Sequence, residues 1–285
     1  MSCCGQLFGW PSNTPSSSTP CNVTGDDLAF ARYDGSNYLS QYNDKYNDNA
    51  YAGFMYGTPG ASTYAETHAN TNLNTIYDNL FTWFINLYSI DAFGEEQLAD
   101  TIWCNDKSVV TVVSFDPWGM EPSDTNFGYG KNTNYYSVTE RLVSSNNKAG
   151  GTGPSLICPN DNNGGKLSKF TSDDTEYGNG ELPKKVGLLT TDEVAFAGGA
   201  FLLQNSTYYL NKNDNTEAYN WWLLSPLCLS NAHAYISAVW SKKSVIRESL
   251  SEKDVAISPS LSLVSNIKTS SGDGTATIPY KVITE

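Results

Sequence analysis

Trp221-Trp222-Leu223-Leu224-Ser225-Pro226, together with residues 227–285, decides how this chain is read. The apolar run stopped by Ser-Pro reads as a core strand over residues 221–224. A polar segment, 229–254, comes next. Ile257-Ser258-Pro259-Ser260-Leu261-Ser262-Leu263 then restores apolar character and predicts a strand over 258–264. Gly272-Asp273-Gly274-Thr275 is a turn, with Asp273 a plain turn former, and Pro279-Tyr280-Lys281-Val282 leads into a last strand over 280–283. Inside the polar segment, Ala234-Tyr235-Ile236-Ser237-Ala238-Val239-Trp240 mixes apolar with small residues, as a half-buried strand can. A further strand is expected over 207–210.

Upstream, Leu73, Ile76, Tyr77, Leu80, Trp83, Phe84 and Leu87 recur at spacings of three and four. They predict a helix over 72–88 with one buried face. A second helix is expected over 191–197, where Thr190 and Glu193 form a capping box and Gly198-Gly199 supplies the stop. Residues 104–185 are rich in Gly, Asn, Pro and Ser, a loop-rich middle with strand-like runs at 108–115 and 156–157. The first 22 residues are Ser, Thr, Pro and Asn rich and cannot bury enough apolar surface to offset their ordering entropy. Tyr33, Tyr38, Tyr42 and Tyr46 come after them among Asn and Asp, and that density reads as loop. Residues 1–50 are therefore assigned to an attachment arm and 51–285 to one domain.

In their order, the C-terminal blocks resemble the second half of a non-catalytic C-type-lectin-like module. Formylglycine-generating enzymes and variable surface proteins of gut bacteria and their phages share that fold. Ala52-Gly53-Phe54-Met55-Tyr56-Gly57, Ala99 through Ser108 (Ala-Asp-Thr-Ile-Trp-Cys-Asn-Asp-Lys-Ser) and Val186 through Val194 are similar to further blocks of these surface proteins. Where they read Gly-Val-Arg-Pro, this chain has Val255-Ala256-Ile257-Ser258-Pro259, so the role of that Arg is not carried over. The resemblance implies an α+β, C-type-lectin-like domain with two main helices, short antiparallel strands and long loops. It also implies a non-enzymatic adhesion or receptor-binding protein on a virion, or extracellular on a bacterial surface. The alternative is a structural virion or filament subunit, whether fibre, decoration or shell protein, whose lectin-like face serves assembly. Expected partners are a host-surface glycan or protein and, through the arm, other structural subunits in an oligomer. Cys104 and Cys158 fall in blocks where the resembling proteins carry Cys, which implies a bridge. Two reduced buried thiols are the alternative in a reducing cytosol.

Composition narrows the classes. The formal charge is −13 with 17 Lys and Arg, a balance that argues against nucleic acid and anionic membrane surfaces as partners. No run of about 20 apolar residues occurs, so no membrane insertion is expected. The first 20 residues lack the basic and apolar regions of a signal peptide. Uncharged polar residues and Tyr dominate instead, as in adhesins and shell proteins. The six cysteines include no Cys-x-x-Cys, and the chain has two His, so neither a metal site nor a cofactor is expected. His68 and His233 lack ligand spacing. Asp161 and Asp173-Asp174 read as turn formers, and Glu121-Pro122-Ser123 lacks the Asn of a calcium-dependent sugar site. Cys228 has no catalytic partner at suitable spacing, so formylglycine-type oxidation is not expected. Cys3, Cys4 and Cys21 are candidates for cross-linking neighbouring subunits.

The candidate ligand-binding residues are Asn231, His233, Tyr235, Trp240, Lys242, Lys243, Arg247 and Glu248. In the resembling proteins this stretch carries exposed contact residues. Segment 229–254 holds four of the 17 basic residues, and Trp, Tyr and Arg are the usual interface anchors. The alternatives are a solvated β-hairpin and a surface packed on a neighbouring subunit. Trp83 and Trp222 are expected in the core.

Overall fold

The computed structural model describes residues 32–33, 36–37, 39–90, 95–123, 128–159, 169–170, 182–205, 220–240, 244–273, 278 and 280–283. The expected strand 207–210, Cys3, Cys4, Cys21, Asp161, Asp173 and Asp174, and Lys242 and Lys243 lie outside them.

The described chain is a mixed α/β structure with small antiparallel sheets, as α+β requires. Its helices are α1 (Tyr64–Thr67), α2 (Thr75–Ile90), α3 (Ser137–Leu142) and α4 (Thr191–Phe196). The main sheet holds β1 (Asn134–Tyr135), β2 (Trp221–Ser230), β3 (His233–Trp240) and β4 (Ser244–Ser249), in the spatial order β4-β3-β2-β1, all antiparallel. The other described strands are two- and three-residue ribbons.

β2 runs well past the expected 221–224. Pro226 cannot donate to a ladder, and the register shifts on both sides of it. The bulge lets the strand continue where Pro would otherwise end it. All ten residues of β2 are buried. Trp222, Leu224 and Leu229 face the main core with Ile76, Tyr77, Leu80, Trp83 and Phe84 of α2. Trp221 and Leu223 pack with Val194, Val239 and Val245, and Leu227 and Cys228 with Val110, Phe115 and Tyr135. Trp83 and Trp222 are both core residues, as the periodicity and the apolar run imply.

α2 begins at Thr75 instead of residue 72. Asn72 and Leu73 are spent pairing with Tyr56 and Met55, and Asn74 donates its side-chain amide to the carbonyls of Tyr51 and Gly53. α4 starts as expected. Thr190 Oγ1 accepts from Glu193 N at 3.2 Å while Thr190 N donates to Glu193 Oε2 at 2.7 Å. Gly198, at φ +103°, ends it. α3 has no counterpart among the expected helices. It is pinned to β2 by Thr139 Oγ1, which donates to Leu227 O at 2.6 Å.

Three of the expected strands do not form. Within 108–115, Val109 makes one bridge to Tyr136, and Val112–Phe115 closes a turn that leaves Val112 and Val113 exposed. Leu156 and Ile157 are exposed and join no ladder among the described residues. Residues 258–264 are irregular, touching Gly187 through Ser260 and Leu98 through Leu263. Near the end, Lys281–Val282 pairs with Thr269–Ser271.

Residues 39–50, assigned to the arm on composition, pack into the core. Ser40, Tyr42, Asn43, Asp48, Asn49 and Ala50 are buried. Trp222 Nε1 donates to Ser40 O at 2.7 Å, and the Tyr42 and Trp222 rings meet edge to face at 5.3 Å. The segment forms no α-helix, in line with its Asn and Asp density, but its aromatic residues carry it inward.

Candidate functional site

β2 and β3 are joined by a two-residue turn, with Ser230 paired to His233. Asn231 and Ala232 take φ +50° and +57°, the left-handed pair of a hairpin turn that follows strand twist. Asn tolerates that region; Ala does not favour it. At this tip Asn231 is exposed. His233 is half-buried, its ring stacked on Tyr46 at 4.7 Å and its Nδ1 3.0 Å from Asn231 O.

Trp240 sits at the opposite end of β3, 36% exposed. Seven residues of strand separate it from His233, roughly 23 Å. The sequence-selected residues therefore do not form one patch: Asn231 and His233 mark one end and Trp240 the other. Tyr235 is half-buried and leans on the cluster of Val110, Phe115, Tyr135, Leu227 and Cys228. Arg247 pairs with Ser237 and Glu248 with Ile236, midway along β4.

Beside the tip, Trp118, Gly119, Met120, Glu121, Ser230 and Asn231 line a groove of about 340 Å³. Asp116 organises its outer wall, accepting from Tyr135 Oη at 2.6 Å, Met120 N at 2.8 Å and Glu121 N at 3.1 Å. Burial works to raise the Asp116 carboxyl, but these bonds hold it below its ordinary range. Burial, then the bond to Asp116, pushes the Tyr135 phenol up.

A second cavity, also about 340 Å³, lies between α3, α4 and the segment after Gly150. Its floor is an ion-paired triad. Arg141 Nε donates to Asp192 Oδ1 at 2.8 Å, and Nη2 reaches Asp192 Oδ2 at 2.7 Å and Asp106 Oδ2 at 2.8 Å. Ser155 N adds a bond to Asp192 Oδ1 at 2.9 Å. Burial works to lower the Arg141 guanidinium, but bonds and charge from Asp192 and Asp106 raise it further. Arg141 is thus held as a fixed cation. Cys104 and Cys158 are joined in a disulfide on the cavity wall, with Cα atoms 5.5 Å apart. Sequence reasoning misses the triad. One signal is available there: Arg141 is one of three Arg in the chain.

His68 is buried, with Nε2 2.6 Å from Gly128 O and no hydrogen-bond partner for Nδ1 among the described residues. Burial first, then the charge of Lys107, lowers it well below the usual imidazole range. Since Gly128 O can only accept, the proton sits on Nε2. Cys228 is a buried thiol. Among the described residues no group of three or more His, Cys, Asp or Glu converges on a metal position, and no described helix is long and apolar enough to cross a membrane.

Comparison with known protein families, curated proteins and solved structures finds no match to this chain.

Proposed function

We propose that this chain is a non-enzymatic adhesion or receptor-binding protein, displayed on a virion or on a bacterial surface. Its recognition domain is C-type-lectin-like, carries no cofactor, and extends upstream to take in residues 39–50. One observation carries the reading. β2 is buried end to end, yet the hairpin it anchors leaves Asn231, His233 and Trp240 accessible at its two ends. A rigid base with polar and aromatic groups at its extremities is suited to recognition, because the exposed side chains can vary without disturbing the core. The ligand is a host-surface glycan or protein.

The test replaces Lys242, Lys243 and Arg247 by Ala, with His233→Ala as a separate variant. Retention of the purified chain on intact bacterial cells and on immobilised neutral glycans is the readout. Retention should be lost while the melting temperature of the triple variant moves by a few degrees at most, since Lys and Arg are rarely fully buried. Unchanged retention by both variants refutes the reading.

The structural-subunit reading has its own support. Ile102, Leu156 and Ile157 leave an exposed aliphatic rim at the second cavity. Exposed apolar side chains gathered at one cavity mouth suit burial against a neighbouring subunit.

A further inference from the structure

We propose that the cavity beside the disulfide receives the leader segment Leu7-Phe8-Gly9-Trp10 of a second copy of this chain. The inference rests on the reading of the N-terminal residues as an attachment arm, and names where the arm docks.

The cavity combines an apolar wall with uncharged polar groups, the Trp103 indole N–H and Ser155, Thr190 and Ser225, and with the Arg141 guanidinium at its floor. Ile102, Trp103, Leu188 and Leu224 line it with the disulfide. The rim is aliphatic: Ile102 is 44%, Leu156 67% and Ile157 81% exposed. At the floor the carboxylates are occupied. Asp192 accepts from Arg141 through both oxygens and from Ser155 N. Asp106 accepts from Arg141 through Oδ2 and from Ser108 through Oδ1. Arg141 Nε and Nη2 are committed to these bonds, whereas Nη1 makes none among the described residues.

The charge at the floor selects the occupant. One guanidinium faces two carboxylates within hydrogen-bond reach, and Glu193 adds a further carboxylate at the rim. An anionic group entering here meets net negative charge. A cation finds the carboxylate oxygens of the triad already engaged. A neutral acceptor such as a peptide carbonyl can take Nη1 while its side chain fills the apolar space.

The leader has that chemistry. Residues 1–25 contain no Asp, Glu, Lys or Arg, in a chain with 30 acidic residues. Its bulky apolar side chains, Leu7, Phe8 and Trp10, fall within four positions, and Pro11 biases Trp10 towards an extended backbone that exposes its carbonyl. Docking would bury both the rim of one copy and the aromatic residues of the next. That contact is heterologous, joining two different surfaces, and it propagates into a ring or a filament.

The test uses the full chain with Cys3, Cys4 and Cys21 changed to Ser, so that leader thiols cannot cross-link. Light scattering after size exclusion should show concentration-dependent association. Phe8→Ser with Trp10→Ser should abolish it, and so should Ile157→Asp, whose position is too exposed to disturb folding. A labelled peptide of residues 1–25, with the same Cys→Ser changes, should bind the full chain carrying Phe8→Ser and Trp10→Ser. Ile157→Asp in that chain should weaken the binding about tenfold or more. A wild-type chain that stays monomeric, association that survives both sets of changes, or peptide binding indifferent to Ile157→Asp overturns the proposal. A leader folded back on its own copy gives the monomeric result. Cell retention of the Ile157→Asp variant separates this inference from the functional reading: association can fail while retention persists, and the reverse.

Discussion

Replacing Trp222 tests whether residues 39–50 belong to the core. Its indole N–H donates to the Ser40 carbonyl at 2.7 Å, its ring meets Tyr42 at 5.3 Å, and both side chains are fully buried. Trp222→Phe keeps an aromatic body but orphans the buried Ser40 carbonyl, at a cost of about 1–3 kcal/mol. Trp222→Ala adds the cavity and lost transfer energy, for a total of about 4–8 kcal/mol. The ring contact is isolated by a cycle of Trp222→Leu, Tyr42→Leu and the double variant, in which the aromatic pair should show a coupling of about 0.5–1.5 kcal/mol. Urea unfolding monitored by far-ultraviolet circular dichroism gives each value, with unchanged slopes confirming that the comparison is between like states. If Trp222→Phe unfolds within about 0.5 kcal/mol of the parent, the scale of a surface change, and the cycle shows no coupling, the packing of this segment is wrong.

Buried polar groups and the bridge give three more expectations. His68 has a folded pKa well below its ordinary 6.5, so the unfolded chain takes up a proton that the folded chain refuses. Stability should then fall as pH drops below about 6.5, by up to about 1.4 kcal/mol per pH unit for this group, and His68→Gln should flatten that slope; an unchanged slope in the variant would show that His68 is not responsible. Arg141→Met strands two carboxylates that are 7% and 6% exposed, and should cost about 3–5 kcal/mol, recovered in part by adding Asp106→Asn and Asp192→Asn; a loss under about 1 kcal/mol would refute the buried triad. Changing Cys104 and Cys158 together to Ser opens a loop of sequence separation 54, which in the chain-entropy model removes about 4 kcal/mol; an unshifted urea midpoint would exclude the bridge.

The parts of the fold legible in sequence are those written locally. α2 is evident from apolar spacing alone, and α4 from a capping box four residues long. The expected start of β3 lies within one residue of the observed one, because its mix of apolar and small residues is written over its own length, although Ile236–Val239 are buried without alternation. What sequence reasoning loses depends on partners far away. β2 continues through Pro226 because a bulge absorbs the missing donor, which no local rule announces. α3 is a six-residue helix, held by Leu227 from 88 positions away. Tyr42 looks like loop among Asn and Asp until Trp222 gives it a partner. The candidate site splits for a related reason. Segment 229–254 reads as one face, but an antiparallel hairpin sends the two ends of β3 to opposite edges. The triad joins residues 35 and 51 positions apart, so no motif window contains it.

The contact between the two ends of the domain sets a clock on its synthesis. Ser40 N donates to Val255 O at 3.0 Å, and Trp222 N donates to Ala256 O at 3.0 Å. The core cannot close until residue 255 has been made, some 215 positions after Ser40. At 5–20 residues per second that interval is about 10–40 s. For most of it Tyr42 and α2 exist without β2, the strand on which they pack, and β2 in turn waits for Ala256. Ribosome-associated holding factors have their greatest leverage at that stage. A chain stopped shortly before residue 255 lacks the strap that joins its beginning to its end, and it should aggregate where the complete chain folds.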